Sequence, residues 1–138
     1  METRSWGNVS ITTDSTWTGA RATIYYTHFA TLKNILETCR ERDITVIGVL
    51  TPMHPGYRET GAYGYRGLQR SKAVELIEEL SALHETYPNF YLMDENKMGN
   101  HDYTDEMAYD HSHLSGLGAA QLSRRIDSLI TKLGISVE

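Results

Sequence analysis

The chain has 138 residues, of which 40% are hydrophobic and 22% charged, with a formal net charge of −5. These proportions fit one globular domain, or a large piece of one, and exclude a disordered chain. A mildly acidic chain without Lys/Arg clusters is a poor match for a nucleic-acid backbone, no apolar run approaches the roughly 20 residues of a membrane span, and the opening METRSWGNVS has no apolar signal core.

Residues 1–20 are polar, rich in Thr, Ser, Trp and Gly, and show no helical period; the expected reading is an irregular segment, with a short strand over Asn8 to Thr13 as its only candidate element. Residues 21–138 are expected to form a single α/β domain. From Tyr25 to Arg42, Phe29, Leu32, Ile35, Leu36 and Cys39 recur at three- and four-residue spacing, which predicts a helix. The lone Cys39 falls on its apolar face, where a buried inert thiol is expected. Ile44–Leu50 is apolar and β-branched on both faces, as in a parallel strand covered on two sides, and Pro52 and Pro55 stop it.

A long loop follows over residues 52–67. Ser71 is placed to cap a second helix with Val74, Ile77, Leu80 and Leu83/His84 inward, ended by Tyr87-Pro88. Phe90–Met93 is the next strand, and a second long loop occupies residues 94–113. Ser115 caps a last helix with Leu122, Ile126, Leu129, Ile130 and Leu133 inward, and Gly134 stops it. Helix and strand alternate, which gives a parallel sheet with helices packed on it. Two or three strands is few beside the usual five or six or so, so the chain is expected to be the C-terminal part of a larger three-layer α/β/α sandwich of flavodoxin-like type. An open sheet edge in such a piece favours self-association.

In an open parallel sheet, ligands bind beyond the carboxyl ends of the strands. Both long loops follow strands, so they share one edge, and loops longer than about 12–15 residues are often functional. The most informative stretch is Asp110-His111-Ser112-His113-Leu114-Ser115-Gly116-Leu117-Gly118-Ala119. Asp110 and His113, three apart in a tight turn, let a carboxylate hold an imidazole by its Nδ1–H and leave Nε2 to take a proton.

This block resembles the last block of SGNH/GDSL hydrolases, Asp-x-x-His-Leu followed by a small polar residue and a Gly-Ala that opens the final helix: here Asp110, His113, Leu114, Ser115, Gly118 and Ala119. The strand Ile44–Leu50 running into Thr51-Pro52, and the strand ending at Asp94, are similar to cell-surface members of that superfamily, over roughly residues 25–133. The resemblance implies a serine esterase acting on carbohydrate-linked esters outside the cytoplasm, without a cofactor, with His113 as general base and Asp110 as its orienting partner. The family's Gly-Asp-Ser and Gly-x-Asn-Asp blocks have no counterpart in the sequence, and Trp6-Gly7-Asn8 is not a substitute for the second. A non-catalytic glycan- or partner-binding relative is therefore the alternative.

Within the first loop, His54, Tyr57, Arg58, Tyr63, Tyr65 and Arg66 stand among Gly56, Gly61, Gly64 and Gly67. Tyrosines stack on sugars and arginines pair with carboxylate or phosphate, so these are the candidate substrate-binding residues; the competing reading is tyrosines packed back on the domain. His101, Asp102, Asp105, Asp110, His111 and His113 raise the further alternative of a metal-dependent phosphoesterase holding Zn²⁺ or Mn²⁺. His111 and His113 are two apart, so they diverge if extended, and no metal is expected.

Overall fold

A computed structural model of the chain describes residues 5–8, 19–64 and 68–136, with side chains of the first helix described from residue 25 onward. In chain order the elements are helix α1 (Gly19–Glu41), strand β1 (Val46–Leu50), helix α2 (Arg70–Thr86), strand β2 (Phe90–Asp94) and helix α3 (Gly116–Leu133). The expected α/β alternation is present. The two strands pair in parallel, with Val46 opposite Phe90 and Leu50 opposite Asp94. They end in register, so the loops that follow them do leave from one edge of the sheet.

With two strands among the described residues, the observed architecture is a mixed α/β unit, and the expected three-layer sandwich is not seen in full. All five β1 residues are half-buried where full cover on both faces was expected. The candidate strand after Asn8 lies outside the described residues.

One core forms where α1 and α2 meet the sheet: Leu36, Leu83 and Phe90 are buried, with Phe29, Leu32, Val46, Leu80 and Leu92 packed around them. Gly48 makes room for this packing, because a Cβ there would stand 3.1 Å from the Phe90 ring. The helices are turned slightly from the expected orientation. In α1 the inward line is Phe29, Leu32 and Leu36, so Ile35, about 100° round the helix from Leu36, is 51% exposed and Cys39 is half-exposed. In α2 Ala73 is buried and its neighbour Val74 is not.

Helix α1 begins at Gly19, well before the apolar period does. Helix α2 begins at Arg70 with Gln69 as its N-cap, and Ser71 does not cap it. The start is set by closure of the first loop: Gln69 bridges to Ala62, and the Arg70 N–H donates to the Gly61 carbonyl at 2.8 Å. The ends of α3 follow the sequence reading. Ser115 Oγ accepts from the Gly118 N–H and donates to the Glu106 carbonyl at 2.7 Å, and Gly134 closes the helix in the left-handed region at φ 66°.

Neither long loop is structureless. The first holds a 3-10 turn at Pro55–Glu59; the second holds turns at Lys97–Gly99 and Asp105–Met107. A second core lies beneath them, with Trp6, Tyr103 and Ala108 buried and Met107, Leu114 and Leu122 against them. Gly118 lets α3 touch this region, since a Cβ at that position would overlap the Met107 carbonyl oxygen. Gly118→Ala is expected to cost about 1–3 kcal/mol as an overpacking change, read as a lower midpoint in urea unfolding with an unchanged slope. An unchanged midpoint would mean that α3 does not approach Met107 so closely.

Candidate active site

The Asp110–His113 turn is built from the backbone outward. Tyr109 N–H donates to the His113 carbonyl at 2.8 Å, and Ala108 bridges to Leu114, which closes a tight loop around residues 109–113. Inside it, Asp110 Oδ1 accepts from the backbone N–H groups of Ser112 at 2.8 Å and His113 at 2.9 Å. A carboxylate that accepts from the backbone two and three residues on fixes its own turn. The same carboxylate takes the His113 imidazole, with Nδ1 at 2.9 Å from both oxygens.

Nδ1 therefore carries the proton that Asp110 accepts, and Nε2 is left with a lone pair. That nitrogen has no partner among the described residues, and the His113 side chain is 72% exposed. The arrangement can hold an imidazole in one tautomer and stabilise it once Nε2 takes a proton.

The Ser112 N–H, then the His113 imidazole and N–H, hold the Asp110 carboxyl down at about 2 against its ordinary 3.8. A depressed carboxylate contributes stability above its unfolded value and loses it as pH falls through the folded one. The turn's bonds to Asp110 are thus expected to be complete above 3.8 and lost progressively towards about 2. Following the Asp110 carboxyl carbon by NMR should give a midpoint near the lower value. A midpoint at the ordinary value would show that the turn is not formed in solution.

A frame ties this turn to the first loop and to residues 5–8. His54 N–H donates to the His111 carbonyl at 2.9 Å. The His54 ring accepts from the Gly56 N–H at Nδ1, 2.8 Å, and so donates from Nε2 to the Gly7 carbonyl at 2.6 Å. His101 has the same tautomer, accepting from Tyr103 N–H and donating to the Met53 carbonyl at 2.6 Å. Trp6 lies against both imidazoles, with ring centroids 6.3 and 5.4 Å away, and its indole N–H donates to the Tyr103 carbonyl at 3.1 Å. Gly7 and Asn8 are exposed beside the frame.

Deeper in, the buried Glu95 accepts from the Tyr103 hydroxyl at 2.7 Å and from Arg125 Nη1 at 2.6 Å; Arg125 Nη2 reaches Asp102 at 2.6 Å. Burial and the Glu95 carboxylate push the Tyr103 phenol up to about 12, and the Arg125 bond draws the Asp102 carboxyl down. The pair fastens the second loop to α3.

Of the candidate substrate residues, His54, Tyr57, Arg58 and Tyr63 are among the described residues, and they differ in exposure. Tyr57 is buried at 3% exposure with its ring edge-on to His54, so it is core and not a stacking platform. Tyr63 is half-buried, Arg58 is exposed and paired with Glu59, and both His54 ring nitrogens are spent on backbone. Tyr65 and Arg66 lie outside the described residues.

Among the described residues no three His, Cys, Asp or Glu side chains converge as a metal site. His101 and Asp102 are engaged as above, and Asp105 accepts from the Trp6 N–H. Ser112 Oγ is 3.3 Å from His113, but at Nδ1, the nitrogen Asp110 occupies, so it is on the wrong side to act as a nucleophile.

No family model, no curated protein and no solved structure matches this chain. The site is therefore read from its own geometry. Sequence reasoning found Asp110 and His113 but missed Trp6, Glu95 and Arg125. A large aromatic in a polar segment was the available signal for an anchored side chain; nothing local marked the Glu95–Arg125 pair, which is 30 residues apart.

Proposed function

We propose that the chain carries the acid–base pair of an SGNH/GDSL-type ester hydrolase, with His113 as general base and acid and Asp110 as its orienting partner. The observation that carries this reading is the Asp110–His113 geometry: Nδ1 committed to a carboxylate that is itself fixed by two backbone N–H groups, and Nε2 exposed. Its position after the second strand, at the edge where both long loops emerge, supports it, as does the Asp110–Ala119 block. On this reading the two-stranded unit belongs to a three-layer sandwich, the substrate is a carbohydrate-linked ester, and the protein works outside the cytoplasm.

The chemistry runs from the tautomer. Nε2 takes the proton of a nucleophilic hydroxyl as it attacks the ester carbonyl, and returns it to the leaving alkoxide. Asp110 stays ionised and stabilises the imidazolium between those events. The hydroxyl comes from outside the described residues.

Fluorophosphonate labelling and hydrolysis of p-nitrophenyl acetate by the full-length gene product test the reading. Both are expected, and both should fall away in His113→Ala. Labelling and turnover that survive this substitution would end it.

One observation favours a second reading, a non-catalytic binding module: no hydroxyl or thiol meets His113 Nε2 among the described residues. A full-length protein that takes no label yet binds an acetylated glycan would select it.

A further inference from the structure

A cleft of about 130 Å³ lies between the first halves of α1 and α2, away from Asp110 and His113. Its rim reaches Leu68, where the first long loop ends. Leu68 and Leu76 give it apolar lining, and Tyr25 and Tyr26 form one wall with their rings edge-to-face at 5.2 Å. Tyr26 is 66% exposed, a large aromatic left open to solvent.

The opposite wall is acidic and unevenly neutralised. Lys72 Nζ bonds both Glu75 oxygens, at 3.0 and 2.7 Å, so Glu75 already has its cation. Glu79 does not: it accepts from the Tyr25 hydroxyl at 3.0 Å and has no cation within ion-pair distance among the described side chains, which leave out those of residues 21–24. Burial and the Glu79 carboxylate push the Tyr25 phenol up to about 12, so that hydroxyl stays a neutral donor.

We propose that this cleft binds a small organic ammonium ion, with its charge on Glu79 and its alkyl groups against Tyr25, Tyr26 and the leucines. The negative faces of aromatic rings attract cations, and a carboxylate beside them adds charge without displacing alkyl contact. An anion meets two carboxylates there, and a neutral apolar ligand would strip water from Glu79 without replacing it. The site is independent of the ester-hydrolase reading and stands or falls separately.

The test is an amide NMR titration of the full chain with tetramethylammonium chloride, against sodium chloride at equal ionic strength. Saturable shifts are expected at Tyr25, Tyr26, Leu68 and residues 72–79, with none from sodium. Glu79→Gln keeps an acceptor for Tyr25 and removes the charge; Tyr26→Leu keeps apolar bulk and removes the ring. Each should weaken the half-saturation point by about two- to fivefold, while Glu85→Gln, on the same helix beyond the cleft, should not. Shifts that fail to saturate, or that neither cleft substitution weakens, would overturn the proposal. Saturable binding of acetate at the same residues would overturn the choice of ligand class.

Discussion

Replacing Arg125 by alanine is expected to destabilise the protein by about 3 kcal/mol, the typical effect of removing one partner from a buried ion pair. Glu95 is 6% exposed and takes its two strong bonds from Arg125 and the Tyr103 hydroxyl. Without the guanidinium a carboxylate remains out of water with one phenol as donor. The attraction between the two charges matters less here than the penalty of leaving one of them alone. Two companion variants separate these effects. Asp102→Asn removes the exposed arm of Arg125, where the carboxylate is 63% accessible, and should change stability by no more than about 1 kcal/mol. Glu95→Gln in the Arg125→Ala background removes the stranded charge and should recover part of the loss. Urea unfolding measures all three. If Arg125→Ala unfolds at the wild-type midpoint, the second loop is not fastened to α3 through this pair.

The second large effect concerns the proposed chemistry. In the full-length protein, Asp110→Asn is expected to lower kcat for ester hydrolysis by about 10⁴-fold while leaving the fold in place. An asparagine can still accept from the Ser112 and His113 N–H groups, so the turn survives. It can also donate to Nδ1, which permits the wrong imidazole tautomer and moves the proton to Nε2, where the base is needed. Steady-state kinetics with p-nitrophenyl acetate, beside far-UV circular dichroism, would show this as a loss in kcat with an unchanged spectrum. A kcat within a few-fold of wild type would mean that Asp110 only shapes the turn.

Local signals in this chain were easy to see where one stretch of backbone settles the outcome. Ser115 and Gly134 bound α3 because a hydroxyl acceptor and a left-handed residue satisfy helix ends through bonds to groups within a few residues. Asp110 and His113 meet because three residues of turn suffice to join them. Ser71 failed as a cap because the start of α2 is fixed by a bridge from Gln69 across the loop to Ala62. Ile35 and Val74 failed as core residues because periodicity gives a stripe broader than the line that the sheet covers.

The candidate substrate loop shows the same limit. Tyrosines among glycines read equally well as a sugar platform or as packing, and the burial of Tyr57 decides for packing at that position. Trp6 and His54 are 48 residues apart, and His54 and His101 a further 47, yet together they make the frame beside the Asp110–His113 turn.

The sequence by itself determined the order of helices and strands, the ends of α3 and the Asp110–His113 turn, since each rests on propensity, period or bonds within a few residues. Only the tertiary structure decided which helix faces are buried, that residues 5–8 belong beside the site, and that Glu95 and Arg125 hold the second loop. Those outcomes depend on burial and charge pairing between distant segments, and neither can be computed from the local chain that carries them.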